Sequence, residues 1–208
     1  MRHLVPGLTL GAAVLLASTA VVAQEEATSR QTVSLRAPVR TSSTFLFRFK
    51  RQTVSLPLPD SQAVHLLVTD LPADDRDYAS ILSLEAGELL ELERTAAIKL
   101  KSNVPLRFGS ADLPVENVAQ DYPGIYSLWL RRTEEGWRLV FNDEADTWGT
   151  QHDEEFDRTE IPLRYTRREG ETDSLRGALD HKNDSSNAPL RLQWGAHQWT
   201  ADFELPEL

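Results

Sequence analysis

Near the C-terminus, Leu190, Leu192 and Trp194 alternate with Arg191 and Gln193. Beyond Gly195-Ala196 the alternation resumes, with His197, Trp199, Ala201, Phe203 and Leu205 set against Gln198, Thr200, Asp202 and Glu204. A period of two sends successive side chains to opposite faces of an extended chain, so two strands around a Gly-Ala turn are expected. The pattern recurs upstream. Runs at 125–130 and 137–141 flank Thr133-Glu134-Glu135-Gly136, a hairpin signal that puts Trp137, Leu139 and Phe141 on one face and Arg138 on the other. Leu90, Leu92, Ala96, Ile98 and Leu100 share one parity against Glu91, Glu93, Thr95, Lys99 and Lys101, and predict another strand. Shorter candidates lie at 44–48, 53–58, 64–68, 81–84, 161–165 and 174–179. No segment carries a long, capped helical stripe. The expected fold class is all-β, an antiparallel β-sandwich with a partly closed β-barrel as the alternative, and little helix apart from the N-terminal segment.

That N-terminal segment, residues 1–23, opens with Arg2, runs apolar from Leu8 to Leu16, and ends in small residues with Val21 and Ala23 before Gln24. This is the anatomy of a secretory signal peptide. The apolar run is diluted by Thr9, Gly11, Ser18 and Thr19 and falls short of the ~20 residues that span a bilayer. Residues 24–43, rich in Ser, Thr, Arg and Glu, are expected to be a flexible leader, and 44–208 a single domain. Export to the periplasm or medium follows, with no membrane span after cleavage. The absence of cysteine suits an oxidising compartment and excludes disulfides, thiolate catalysis and Cys-ligated zinc. A net charge of −10 argues against nucleic acid as a partner. The hexapeptide RQTVSL occurs twice, at 30–35 and 51–56, and reads as a duplicated strand unit.

Tyr122-Pro123-Gly124-Ile125-Tyr126-Ser127-Leu128-Trp129, Trp137-Arg138-Leu139-Val140-Phe141-Asn142, Trp148-Gly149, Asp157 and Leu190-Arg191-Leu192-Gln193-Trp194 together resemble the bacterial exported family known as domain of unknown function 2911, over about residues 87–208. The family's Val-Trp-Arg-x-Gly-Ala-Asn-like segment is absent. The matching window here reads Leu89-Leu90-Glu91-Leu92-Glu93-Arg94, so a site built on that polar cluster is not expected in this chain. The family has no established activity. The resemblance implies an exported β-rich fold and supplies no chemistry.

Candidate chemistry concentrates in one stretch. Asp143, Glu144, Asp146, Asp153, Glu154, Glu155 and Asp157 put seven carboxylates in the 16 residues 142–157. Such a loop can offer Ca²⁺ its hard oxygen ligands, but the spacing lacks the central glycine and closing glutamate of an EF-hand, and a solvated acidic surface is the favoured reading. His152 stands beside Asp153 and Glu155, and Trp148 is the one tryptophan outside any strand pattern. Trp148, His152 and Asp157 are therefore the candidate binding residues. His197 falls on the apolar parity of its strand and is expected at the core edge, and Trp137, Trp194 and Trp199 in the core. No H-E-x-x-H, G-x-S-x-G or phosphate-binding loop occurs, so no cofactor and no catalytic residue is expected. The sequence points to a ligand- or partner-binding module for a small molecule, glycan or envelope protein. The alternatives are a carboxylate-dependent hydrolase of an extracellular polymer and a structural envelope component.

Overall fold

A computed structural model describes residues 50–116, 121–180 and 187–205, all within a compact unit spanning Ala37–Leu208, with the side chains of 169–171 left aside. Residues 1–23 and 24–43, the strand expected at 44–48 and the first RQTVSL copy lie outside the described residues. Nine strands follow in chain order: β1 (Arg51–Pro57), β2 (Ala63–Thr69), β3 (Ile98–Ser102), β4 (Leu106–Phe108), β5 (Ala111–Leu113), β6 (Ile125–Thr133), β7 (Gly136–Asn142), β8 (Asp157–Leu179) and β9 (Asn187–Glu204). One short helix, α1 (Arg76–Ser80), stands between β2 and β3. Among the described residues no helix is long and apolar enough to cross a membrane.

The strands form one antiparallel sheet in the order β1-β2-β3-β6-β7-β8-β9-β4-β5, with β1 and β5 at its edges and no closure into a barrel. The long strand β8 belongs to both halves. Its first residues pair with β7, Trp137 opposite Leu163 and Phe141 opposite Thr159. Its remainder pairs with β9, from Arg164 opposite Thr200 to Leu179 opposite Leu190. The sheet folds over at this strand, so β8 also crosses β1 and β2. Leu175 donates its N–H to the Leu71 carbonyl at 2.7 Å, Ala73 donates to Asp173 at 2.8 Å, and Gly177 donates to the Gln52 side chain at 3.0 Å. Gly177 is required there because a Cβ would run into the Leu66 and Val68 side chains of β2.

The interior is the set of residues that the alternation predicts. Val64, Leu66 and Leu100, then Leu139 and Phe141, face Leu190, Leu192, Trp194, Trp199 and Phe203, and each of these is fully buried. Each such side chain contributes roughly 1.5–3 kcal/mol on leaving water. Trp137, Trp194 and Trp199 are core, and His197, 2% exposed, sits at its margin as expected.

Four local expectations change. The turn expected at Gly195-Ala196 lies instead inside one continuous strand, β9, with Gly195 at φ +54° opposite an irregular stretch of β8. The buried parity passes from even (Leu190, Leu192, Trp194) to odd (Trp199, Ala201, Phe203) at that residue. The registers on either side put the extra residues in β8, between Arg167 and Arg176, and β9 changes face at a left-handed glycine without reversing the chain. The strand expected across 90–100 begins only at Ile98. Upstream of it Leu92 donates to the Gly149 carbonyl, Gly149 to Thr95, and Ala97 to Thr147, so this backbone joins a distant loop in place of a neighbouring strand. Residues 81–84 form turns after α1, stitched by Ser80 Oγ donating to Asp77 O at 2.7 Å and Ser83 Oγ to Ser80 O at 2.9 Å. Hydroxyl-to-backbone bonds of this kind favour turns over extended pairing. Finally, 161–165 and 174–179 are parts of the single strand β8, and Gly109-Ser110 is the turn of the β4–β5 hairpin.

Candidate functional site

Strands β6 and β7 bury both faces over much of their length. On the side away from the main core, β6 presents Ser127, Trp129 and Arg131, and β7 presents Arg138, Val140 and Asn142 directly opposite them. An irregularity in the β7–β8 register, where Phe141 meets Thr159 but Asn142 meets Asp157, brings Asp157 to the same side as Glu160. The chain leaving β7 then returns across this face. Trp129 and Val140 form a second apolar cluster with Ala97, and Leu89 packs against it.

Two of the three candidate residues meet here. Asp157 Oδ1 lies 2.8 Å from His152 Nε2 and accepts from Asn142 Nδ2 at 2.9 Å, while Oδ2 accepts from Arg131 at 3.0 Å. A carboxylate accepts, so the imidazole donates from Nε2. The His152 ring stands edge-on to Trp129 with centroids 5.0 Å apart, and its side chain is 12% exposed. Asn142, itself buried, also donates to the Asp153 carbonyl at 2.7 Å and accepts from the Glu144 amide at 2.8 Å. Arg138 completes the row with a 2.8 Å ion pair to Glu160. Trp148 is anchored elsewhere: its indole N–H donates to the Glu93 carbonyl at 3.1 Å, and its backbone bridges Ala96. It is half-buried.

The acidic loop is divided among separate partners. Arg158 holds Asp143 in a two-pronged pair at 2.7 and 2.8 Å, Lys99 takes Asp146 at 2.7 Å, and Asp153 accepts from the Glu155 amide at 3.0 Å. Among the described residues no three His, Asp or Glu side chains gather to hold a metal ion.

Elsewhere, burial pushes the Asp77 carboxyl up from its usual range, and its Oδ2 accepts the Glu93 amide at 2.9 Å. His197 stacks on Trp199 and Tyr165, and its Nδ1 lies 2.7 Å from the Tyr165 hydroxyl. Desolvation, and then Arg167, lower its pKa. Arg131, Asn142, Ser127 and Trp129 are absent from the sequence-derived candidates. The available signal was their parity: Ser127, Trp129 and Arg131 alternate with the core residues Tyr126, Leu128 and Leu130, and only a covered outer face gives that second row meaning.

Residues 110–203 match the family model described as "Protein of unknown function (DUF2911)", the family that the motifs above resemble. The matched segment contains Trp148, His152 and Asp157 and leaves out β1 to β4. No curated protein and no solved structure matches the chain.

Proposed function

We propose that the mature protein is an exported binding module, periplasmic or secreted, that engages a small molecule, glycan or envelope protein at the loop side of β6–β8, around Trp148, His152 and Asp157. The observation that carries this reading is the saturation of the His152–Asp157 pair. Both carboxylate oxygens are already taken by His152, Asn142 and Arg131, and Ser127 on the same face is buried and accepts the Trp129 indole N–H at 3.1 Å. A hydrolytic carboxylate needs a proton to give or a free oxygen to attack with, and a serine nucleophile needs an exposed hydroxyl beside a base. The geometry favours a rigid, fully engaged pair over a catalytic one.

Alanine at Trp148 is expected to abolish capture of the partner from an envelope extract while the melting temperature shifts little. Unchanged capture would remove Trp148 from the site. Export is tested by fractionation with N-terminal sequencing, which is expected to begin at Gln24. The hydrolase alternative rests on the acidic loop 142–157 beside an aromatic residue. Added Ca²⁺ is expected to leave both melting temperature and tryptophan fluorescence unchanged, and a clear rise in stability would restore the metal-dependent version.

A further inference from the structure

The change of face at Gly195 has a second consequence on the other side of the molecule. Along β8, Arg164 and Thr166 point away from the core, and along β9 so do Gln198, Thr200 and Asp202. Arg164 lies opposite Thr200, and Thr166 opposite Gln198. Pro189 and Arg191, from the arm of β9 before Gly195, line the same concavity, which has a volume of about 310 Å³. That volume is at the lower end of the ~300–1,000 Å³ of small-molecule sites. Thr200 is 8% exposed and lies on the floor, while Arg164 and Asp202 stand at the rim.

The polar groups of this groove are unbalanced. Its acceptors are occupied: Asp202 takes both prongs of Arg164, and Gln198 Oε1 accepts from Arg168 at 2.9 Å. Its donors are in surplus. Arg191 uses one guanidinium nitrogen, on Asp180 at 2.7 Å, and Arg164 keeps its Nε–H. Thr166 has a hydroxyl without a protein partner, and Thr200 accepts only a long 3.5 Å bond from Gln198, which leaves its own O–H to give. The complementary ligand is rich in acceptors and carries an anion. Among the described residues no aromatic ring lines the groove, so they offer no stacking platform to a neutral sugar. The chain's net charge of −10 gives an anion no long-range steering, so it must be held by direct contacts.

We propose that this groove binds a short acidic saccharide, with the uronate carboxylate bridging Arg191 and Arg164 and the ring hydroxyls meeting Thr166, Thr200 and Gln198. Both arginine–aspartate pairs are solvent-exposed, and exposed pairs contribute little to stability, so an incoming carboxylate can exchange with them.

The test titrates the full chain with glucuronate oligosaccharide, the equivalent neutral oligosaccharide and a glutamate-rich peptide, by calorimetry and by amide chemical shifts of Thr166, Gln198 and Thr200. The expected result is saturable binding of the uronate alone, with shifts confined to those strands. Affinity is expected to fall at least tenfold in the R164Q/R191Q double variant, at an unchanged melting temperature. W148A is expected to bind the uronate as the wild type does, which separates this site from the loop side of β6–β8. Equal binding of the neutral sugar or the peptide, no shifts at those amides, or an R164Q/R191Q variant that binds normally would each overturn the proposal.

Discussion

His197 shows how one side chain couples burial to pH. Its pKa in the folded chain lies below the ordinary 6.5, chiefly because burial disfavours the imidazolium. The unfolded chain therefore takes up the proton first as pH falls. The neutral ring's contribution is complete above pH 6.5 and is lost as pH drops from there through the folded value. Urea midpoints of the wild type are expected to decline across that window, and the decline is expected to be shallower in His197→Gln. Parallel curves for the two proteins would rule the coupling out. At Arg158, the guanidinium grips the buried Asp143 carboxylate with two bonds. Arg158→Met leaves that charge without its partner, and the expected loss is about 2–3 kcal/mol by denaturant unfolding. A loss under about 1 kcal/mol would mean that Asp143 finds another cation.

At the scale of elements, β9 depends on a single backbone conformation. Gly195 has φ +54°, and a Cβ there would also overlap the ring of Tyr78, whose hydroxyl lies 3.4 Å from the Ala196 amide. Gly195→Ala is expected to cost about 2–4 kcal/mol, the left-handed strain and the overlap together. Placing the same change in a Tyr78→Ala background is expected to recover the steric part and leave about 1–2 kcal/mol of strain. Full additivity would show that the ring plays no part. The element also shows what period-two reading can and cannot deliver. The parity change at Gly195 is visible in the letters, but a turn and a bulge both produce it. The choice is made by β8, which pairs with β9 on both sides of the glycine. Over the same length β8 bulges outward between Arg167 and Arg176, the stretch that reaches the Leu71–Ala73 backbone.

For the whole molecule, the match to the family model begins at residue 110, yet β6 lies between β3 and β7 in the sheet. A fragment of residues 110–203 lacks Leu66 and Leu100, both fully buried, and leaves β6 with an open edge. It is expected to show collapsed amide dispersion by NMR, against a well-dispersed spectrum for the full chain. A folded fragment would mean that the matched segment is a domain in its own right.

From the sequence alone came the all-β class, the inward row of leucines and tryptophans, the hairpin at Glu134-Glu135, and His152 and Asp157 as neighbours worth weighing. All of these follow from alternation or from short separation along the chain. Tertiary structure alone decided that the outer face of β6 and β7 is covered, that Arg131 and Asn142 converge on Asp157, that Lys99 and Arg158 pair with Asp146 and Asp143 of the acidic loop, and that two arms of β9 line a polar groove with β8. Each of those facts joins residues that are distant in sequence, or depends on a local slip in register. A period of two determines which way a side chain points, and it carries no information about what comes to rest against it.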